Sequence, residues 1–114
     1  MDYSNRSQHE VIRGTRFGLA EGKQYPAGYA LRFDGTKYYV LKLWVQQEKT
    51  YYINKNDENS EYYTVFGKKV IEADESVRFL NPIGFARGMP SKTHLEIVLP
   101  DFPRRYYMSL FPNQ

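Results

Sequence analysis

Cysteine is absent from this chain of 114 residues. That single absence removes a disulfide framework, thiolate zinc sites and a cysteine nucleophile together. Long apolar runs are missing as well, and none approaches the roughly 20 residues that a membrane-spanning helix needs. The opening residues, MDYSNRSQHE, are polar and lack the apolar middle segment of a secretory signal. The expected location is therefore the cytoplasm, with no membrane partner. Nor does any stretch sustain apolar residues at helical period.

Catalytic patterns are equally scarce. Gly14 and Gly18, with Gly22 further on, lack the Lys-Ser/Thr ending and the following helix of a phosphate loop. Asp57-x-Asn59 opens like a calcium loop, but the glycine and closing glutamate that such a loop requires do not follow. His94 and Glu96 share one face of a strand, where an imidazole and a carboxylate can hold a metal or share a proton. Spacing supplies no third ligand, so a surface ion pair is the plainer reading. His9 is read as a solvent-facing side chain. The chain is thus expected to be no enzyme, with no catalytic residue, metal site or cofactor.

Aromatic residues are what the chain has in excess: 17% of the total, with 11 Tyr and 7 Phe. Hydrophobic content of 41% and charged content of 25% are ordinary for a globular domain large enough to bury one core. The net charge of +3 is mild for a duplex binder but uneven along the chain. Residues 1–47 hold seven Lys/Arg against four Asp/Glu, residues 48–77 four against seven, and residues 78–114 five against two. Two basic thirds folded side by side would make a stronger field than the total suggests.

Residues 1–10 read as a flexible arm or one short helical turn, and residues 11–114 as a single β domain. Residues 10–17 suit a short first strand, and residues 18–27, with two glycines and Pro26, a connection. The body is the segment 28–66, where apolar and aromatic runs alternate with short polar breaks. Asp34-Gly35 is a strong hairpin signal, because both residues tolerate the positive φ of a tight turn. In residues 38–45, Tyr39, Leu41, Leu43 and Val45 fall on one face and Tyr38, Val40, Lys42 and Trp44 on the other. Residues 50–54 and 61–66 pair across a polar loop, and 68–72 continues as a strand beyond Gly67. A turn then leads to 76–80, with Val77 and Phe79 inward.

Residues 81–90 carry two prolines and two glycines. They suit a bulged crossover or a structured loop better than a regular central strand, because proline lacks the ladder donor. A closing hairpin follows, with Leu95, Ile97 and Leu99 inward on one strand and Tyr106, Met108 and Leu110 on the other. The fold expected is all-β: a small antiparallel barrel or two-layer sandwich of about 7–9 short strands, with room for a short N-terminal helix.

Four tyrosine doublets fall in these strands: Tyr38-Tyr39, Tyr51-Tyr52, Tyr62-Tyr63 and Tyr106-Tyr107. Consecutive strand residues point to opposite faces, so each doublet sends one ring inward and one outward. The β-propensity of tyrosine and its cross-strand pairs account for the doublets without any ligand. The functional alternative is a platform on which outward rings stack unpaired bases while cations hold the phosphates. That reading names Arg32, Tyr38, Lys42, Trp44, Arg105 and Tyr107 as candidate contacts for single-stranded DNA or RNA. A protein partner or a second copy of the chain is the rival occupant, since Tyr, Trp and Arg also anchor protein interfaces. A third alternative is a ligand-binding barrel lined by inward tyrosines such as Tyr39 and Tyr106.

Overall fold

The computed structural model describes residues 5–14, 25–100, 102 and 105–113. Eight strands follow one another: β1 (Arg6–Arg13), β2 (Tyr25–Phe33), β3 (Tyr38–Leu43), β4 (Tyr51–Lys55), β5 (Tyr62–Ile71), β6 (Val77–Gly88), β7 (His94–Val98) and β8 (Tyr106–Ser109). Each pairs antiparallel with the next, and β1 pairs with β8, so the sheet closes into a barrel. The all-β expectation holds, and closure selects the barrel over the sandwich.

The alternation of side chains explains the core. One residue from every strand is fully enclosed: Val11, Ala30, Leu41, Ile53, Val65, Ala86, Ile97 and Met108 are each 0% exposed. Burying a Val, Leu, Ile or Met side chain stabilises the fold by roughly 1.5–3 kcal/mol. These side chains fill the barrel's middle, as eight strands leave an interior about one layer of side chains wide. Closure also demands bends. The register shifts between Val11 and Ile12 and again between Val65 and Phe66. Beside each shift stands a glycine where a side chain has no room. A Cβ on Gly28 would run into the carbonyl oxygen of Lys42, and one on Gly84 into that of Val98.

Several expectations are corrected. The arm assigned to residues 1–10 is strand from Arg6 onward, because Arg6–Glu10 pair with β2; no N-terminal helix occurs among the described residues. Trp44 and Val45 leave the strand and form a 3₁₀ turn, Trp44–Gln46. Residues 81–88 are strand after all, and Pro82 is tolerated because it sits at the Val65/Phe66 register shift. His9 is buried rather than in solvent, at 3% exposure. The Asp34-Gly35 turn forms as the sequence predicts, with Gly35 at φ 85° and the Thr36 amide donating to the Phe33 carbonyl at 3.1 Å.

The β5–β6 hairpin is longer than the wall it belongs to. Residues Lys68–Ile71 pair only with Val77–Leu80, not with β4 or β7. Asn81, at φ 59°, breaks the alternation of β6. Phe79, expected inward, consequently turns to the outer side, and Val77 is exposed. The seam that closes the barrel joins Val11, Ile12 and Arg13 to Met108, Tyr107 and Tyr106, with the Asn113 amide bonded to the Gln8 carbonyl at 2.7 Å.

Candidate functional site

The tyrosine doublets split as strand geometry requires. Tyr39, Tyr51, Tyr63 and Tyr106 belong to the core or pack against it. Tyr38 and Tyr52 lie on the outer side of β3 and β4, and Tyr62 is exposed on β5. Tyr107 is also outward by alternation, yet it is fully buried.

On the outside of β3–β5 the rings gather into one cluster. Tyr38 meets Tyr52 with ring centroids 6.4 Å apart and Phe79 at 5.1 Å, while Phe66 stacks on Phe79 at 5.4 Å. Such pairs stabilise by about 0.5–1.5 kcal/mol beyond the area they bury. The Lys69 ammonium stands 5.5 Å from the Tyr38 centroid and 5.5 Å from that of Tyr52, and donates to the Tyr38 hydroxyl at 3.4 Å. All four rings remain partly exposed. The outward residues of β3, of β4 and of β5 as far as Phe66 include no carboxylate: they are Tyr38, Val40, Lys42, Tyr52, Asn54, Tyr62, Thr64 and Phe66.

Along β3 toward the 3₁₀ turn, Lys42 and Trp44 line a shallow depression with Tyr29. The Lys42 ammonium donates to the carbonyls of Gln47 at 3.4 Å and Lys49 at 3.3 Å, which ties it to the turn. Trp44 is 51% exposed. Tyr38 and Lys42 share one side of the molecule by the alternation of β3, and Trp44, although in the 3₁₀ turn, lines the same depression as Lys42.

The other three candidates do not join them. Arg32 is on the inner side of β2, two residues from core Ala30, and reaches the barrel mouth instead. Arg105 and Tyr107 belong to the opposite wall. There Arg87 and Arg105 both donate to Glu96 Oε1 at 3.2 Å, and the Tyr107 hydroxyl donates to Oε2 at 3.3 Å. Glu96 is 5% exposed, so its charge is held by two guanidiniums rather than by water. Burial and the neighbouring Glu96 push the Tyr107 phenol up, opposed by the two arginines. The His94–Glu96 pair is thus absent: Glu96 belongs to this ion-pair group, and His94 Nδ1 lies 2.8 Å from Thr93 Oγ1. No group of three metal-ligating side chains occurs among the described residues. Asp57 likewise has a local role, its Oδ1 accepting the Asn59 amide at 2.9 Å.

Tyr52, Phe66, Lys69 and Phe79 are the members of the outer cluster absent from the six candidate contacts, Tyr52 being foreseen only as one ring of a split doublet. Lys68-Lys69 reads as solvated surface, and nothing in a linear pattern announces the break at Asn81 that brings Phe79 round. No helix among the described residues is long and apolar enough to cross a membrane. Comparison of the chain with protein-family models, with curated proteins and with solved structures gives no match.

Proposed function

We propose that the chain is a non-catalytic module that binds single-stranded nucleic acid along the outer side of β3–β5. One observation carries this reading: that side combines a ring cluster with Lys42 and Lys69 and has no outward carboxylate on its strands. Aromatic faces accept any base, and each stacked base contributes roughly 1–3 kcal/mol. A carboxylate on such a surface would repel phosphate. From Tyr38 to Lys42 the outward positions span about 13 Å at 3.3 Å per residue, room for more than one nucleotide. On binding, Lys69 exchanges its ring contacts for a phosphate while a base takes its place over Tyr52.

The test is fluorescence anisotropy of a labelled oligothymidylate against salt. The expected result is binding that Tyr52→Ala weakens about tenfold. The slope of log K on log salt is about −1.4 for two phosphates at −0.7 each, falling to about −0.7 in Lys69→Gln. Absence of binding at low salt overturns the reading. A protein partner is the second reading, favoured by Ile71 and Val77, 65% and 40% exposed at the hairpin tip. A stable self-dimer by light scattering that Ile71→Asp dissolves would decide for it.

A further inference from the structure

The mouth of the barrel is chemically distinct from its outer wall. It holds an open cup of about 490 Å³, whose lining includes Arg32, Lys37, Tyr39, Lys55 and Tyr63. A second cup of about 470 Å³ adjoins it through Lys55 and Tyr63 and is floored by Met89, Leu95 and Leu110. The interior below is packed, so the mouth is a shallow receptacle and not a channel.

The charges converge unevenly. Lys37 is paired with Glu58 at 3.2 Å. Arg32 and Lys55 have no carboxylate partner among the described residues. Lys55 instead stands 5.9 Å over the Tyr63 ring. With Asp57 and Glu58 also on the rim, the first cup carries three cations and two carboxylates, one positive charge in excess.

His9 adds no charge. It lies 2.8 Å from the Ser109 carbonyl through Nδ1, which must therefore carry the proton, so Nε2 of the neutral ring accepts from the Ser7 hydroxyl at 2.8 Å. Its ring meets Tyr39 edge-on at 5.3 Å and so fixes one aromatic wall of the mouth. Burial and the neighbouring Tyr39 push the Tyr63 phenol up.

We propose that the barrel mouth binds a small aromatic monocarboxylate, its carboxylate held by Arg32 and Lys55 and its ring lying against Tyr63 toward Leu95 and Leu110. A single excess positive charge matches one carboxylate and leaves a phosphate dianion under-compensated. The guanidinium fork suits the two carboxylate oxygens. Apolar walls with a few convergent polar groups are the common form of a small-molecule site. This site goes beyond the nucleic-acid reading: it takes up Arg32, which lies apart from the outer side of β3–β5, and meets that side only at Asn54.

Isothermal titration of the full chain with indole-3-acetate, its neutral analogue indole-3-ethanol, and phenyl phosphate tests the proposal. Indole-3-acetate is expected to bind at least about tenfold more tightly than either of the others, and Arg32→Gln to weaken it about tenfold. Tyr63→Leu should weaken it too, while Lys69→Gln and added oligothymidylate leave it unchanged. Equal affinity for the alcohol, tighter binding of phenyl phosphate, indifference to Arg32→Gln, or no heat at millimolar ligand would each overturn it. Because Arg32 is exposed, its replacement leaves the fold intact, and a circular-dichroism melt checks this.

Discussion

The outer side of β3–β5 and the outer side of β6–β8 obey the same alternation, yet they end in opposite states. Both present tyrosine and basic residues. On β6–β8 a carboxylate, Glu96, stands between Arg87, Arg105 and Tyr107 and accepts a hydrogen bond from each. On β3–β5 no carboxylate occupies the equivalent position, so Lys69 rests on ring faces instead. Strand geometry decides which way a side chain points. The neighbour opposite decides whether it remains available.

That contrast can be broken most forcefully at Glu96. Glu96→Ala leaves two guanidiniums and a phenol without their acceptor and should destabilise the fold by about 2–3 kcal/mol, read as a urea midpoint shift. This sits below the range for a fully enclosed pair because Arg87 and Arg105 keep part of their side chains in water, at 52% and 37% exposure. Phe79→Ala on the other side removes contacts with three rings and should lose about 1–2 kcal/mol in the same assay. Equal losses at the two positions would erase the distinction. Lys69→Gln should change stability by less than about 0.5 kcal/mol, since its partners are rings and a hydroxyl at the surface. An effect as large as that of Glu96→Ala would mean that Lys69 is a structural residue.

A pH series sharpens the comparison further, with the smallest expected effect. Burial, then Arg32, hold the His9 imidazole below its ordinary value, opposed by the Ser109 carbonyl. The folded state thus binds the proton less readily than the unfolded chain, whose histidine titrates near 6.5. Stability should be level above that pH, fall as the pH drops from there through the lowered folded value, and level off below it. His94 is also held low by burial and contributes with the same sign. His9→Gln should therefore flatten the dependence of Tm on pH without abolishing it. A slope unchanged in His9→Gln would assign the acid sensitivity elsewhere.

Much of the architecture was legible because its signals are local. The Asp34-Gly35 turn, the inward sets Leu41/Leu43 and Leu95/Ile97/Leu99, and the division of the doublets all follow from period two and positive φ. What escaped depends on pairing over distance. Nothing near His9 reveals that its strand finds the Ser109 carbonyl at the far end of the chain. Pro82 argues against a central strand until the bulge that accommodates it is known. Tyr107 points outward as expected, but its burial and its link to Glu96 depend on which strand becomes its neighbour. Of the six candidate contacts, Tyr38, Lys42 and Trp44 lie on one strand and its continuation, and these stay together. Arg32, Arg105 and Tyr107 required knowledge of inside and outside, or of seam partners, and they separate.

The seam between β1 and β8 carries a consequence for biosynthesis. Every other ladder in the barrel forms between segments that leave the ribosome one after the other, and so can zip as it appears. The first strand of the barrel alone must wait for the eighth, presenting a row of unsatisfied amides and carbonyls until β8 has been made. Its outward residues before Ile12, which are Arg6, Gln8 and Glu10, are all polar or charged, a composition that discourages a neighbouring nascent chain from docking there in the interval.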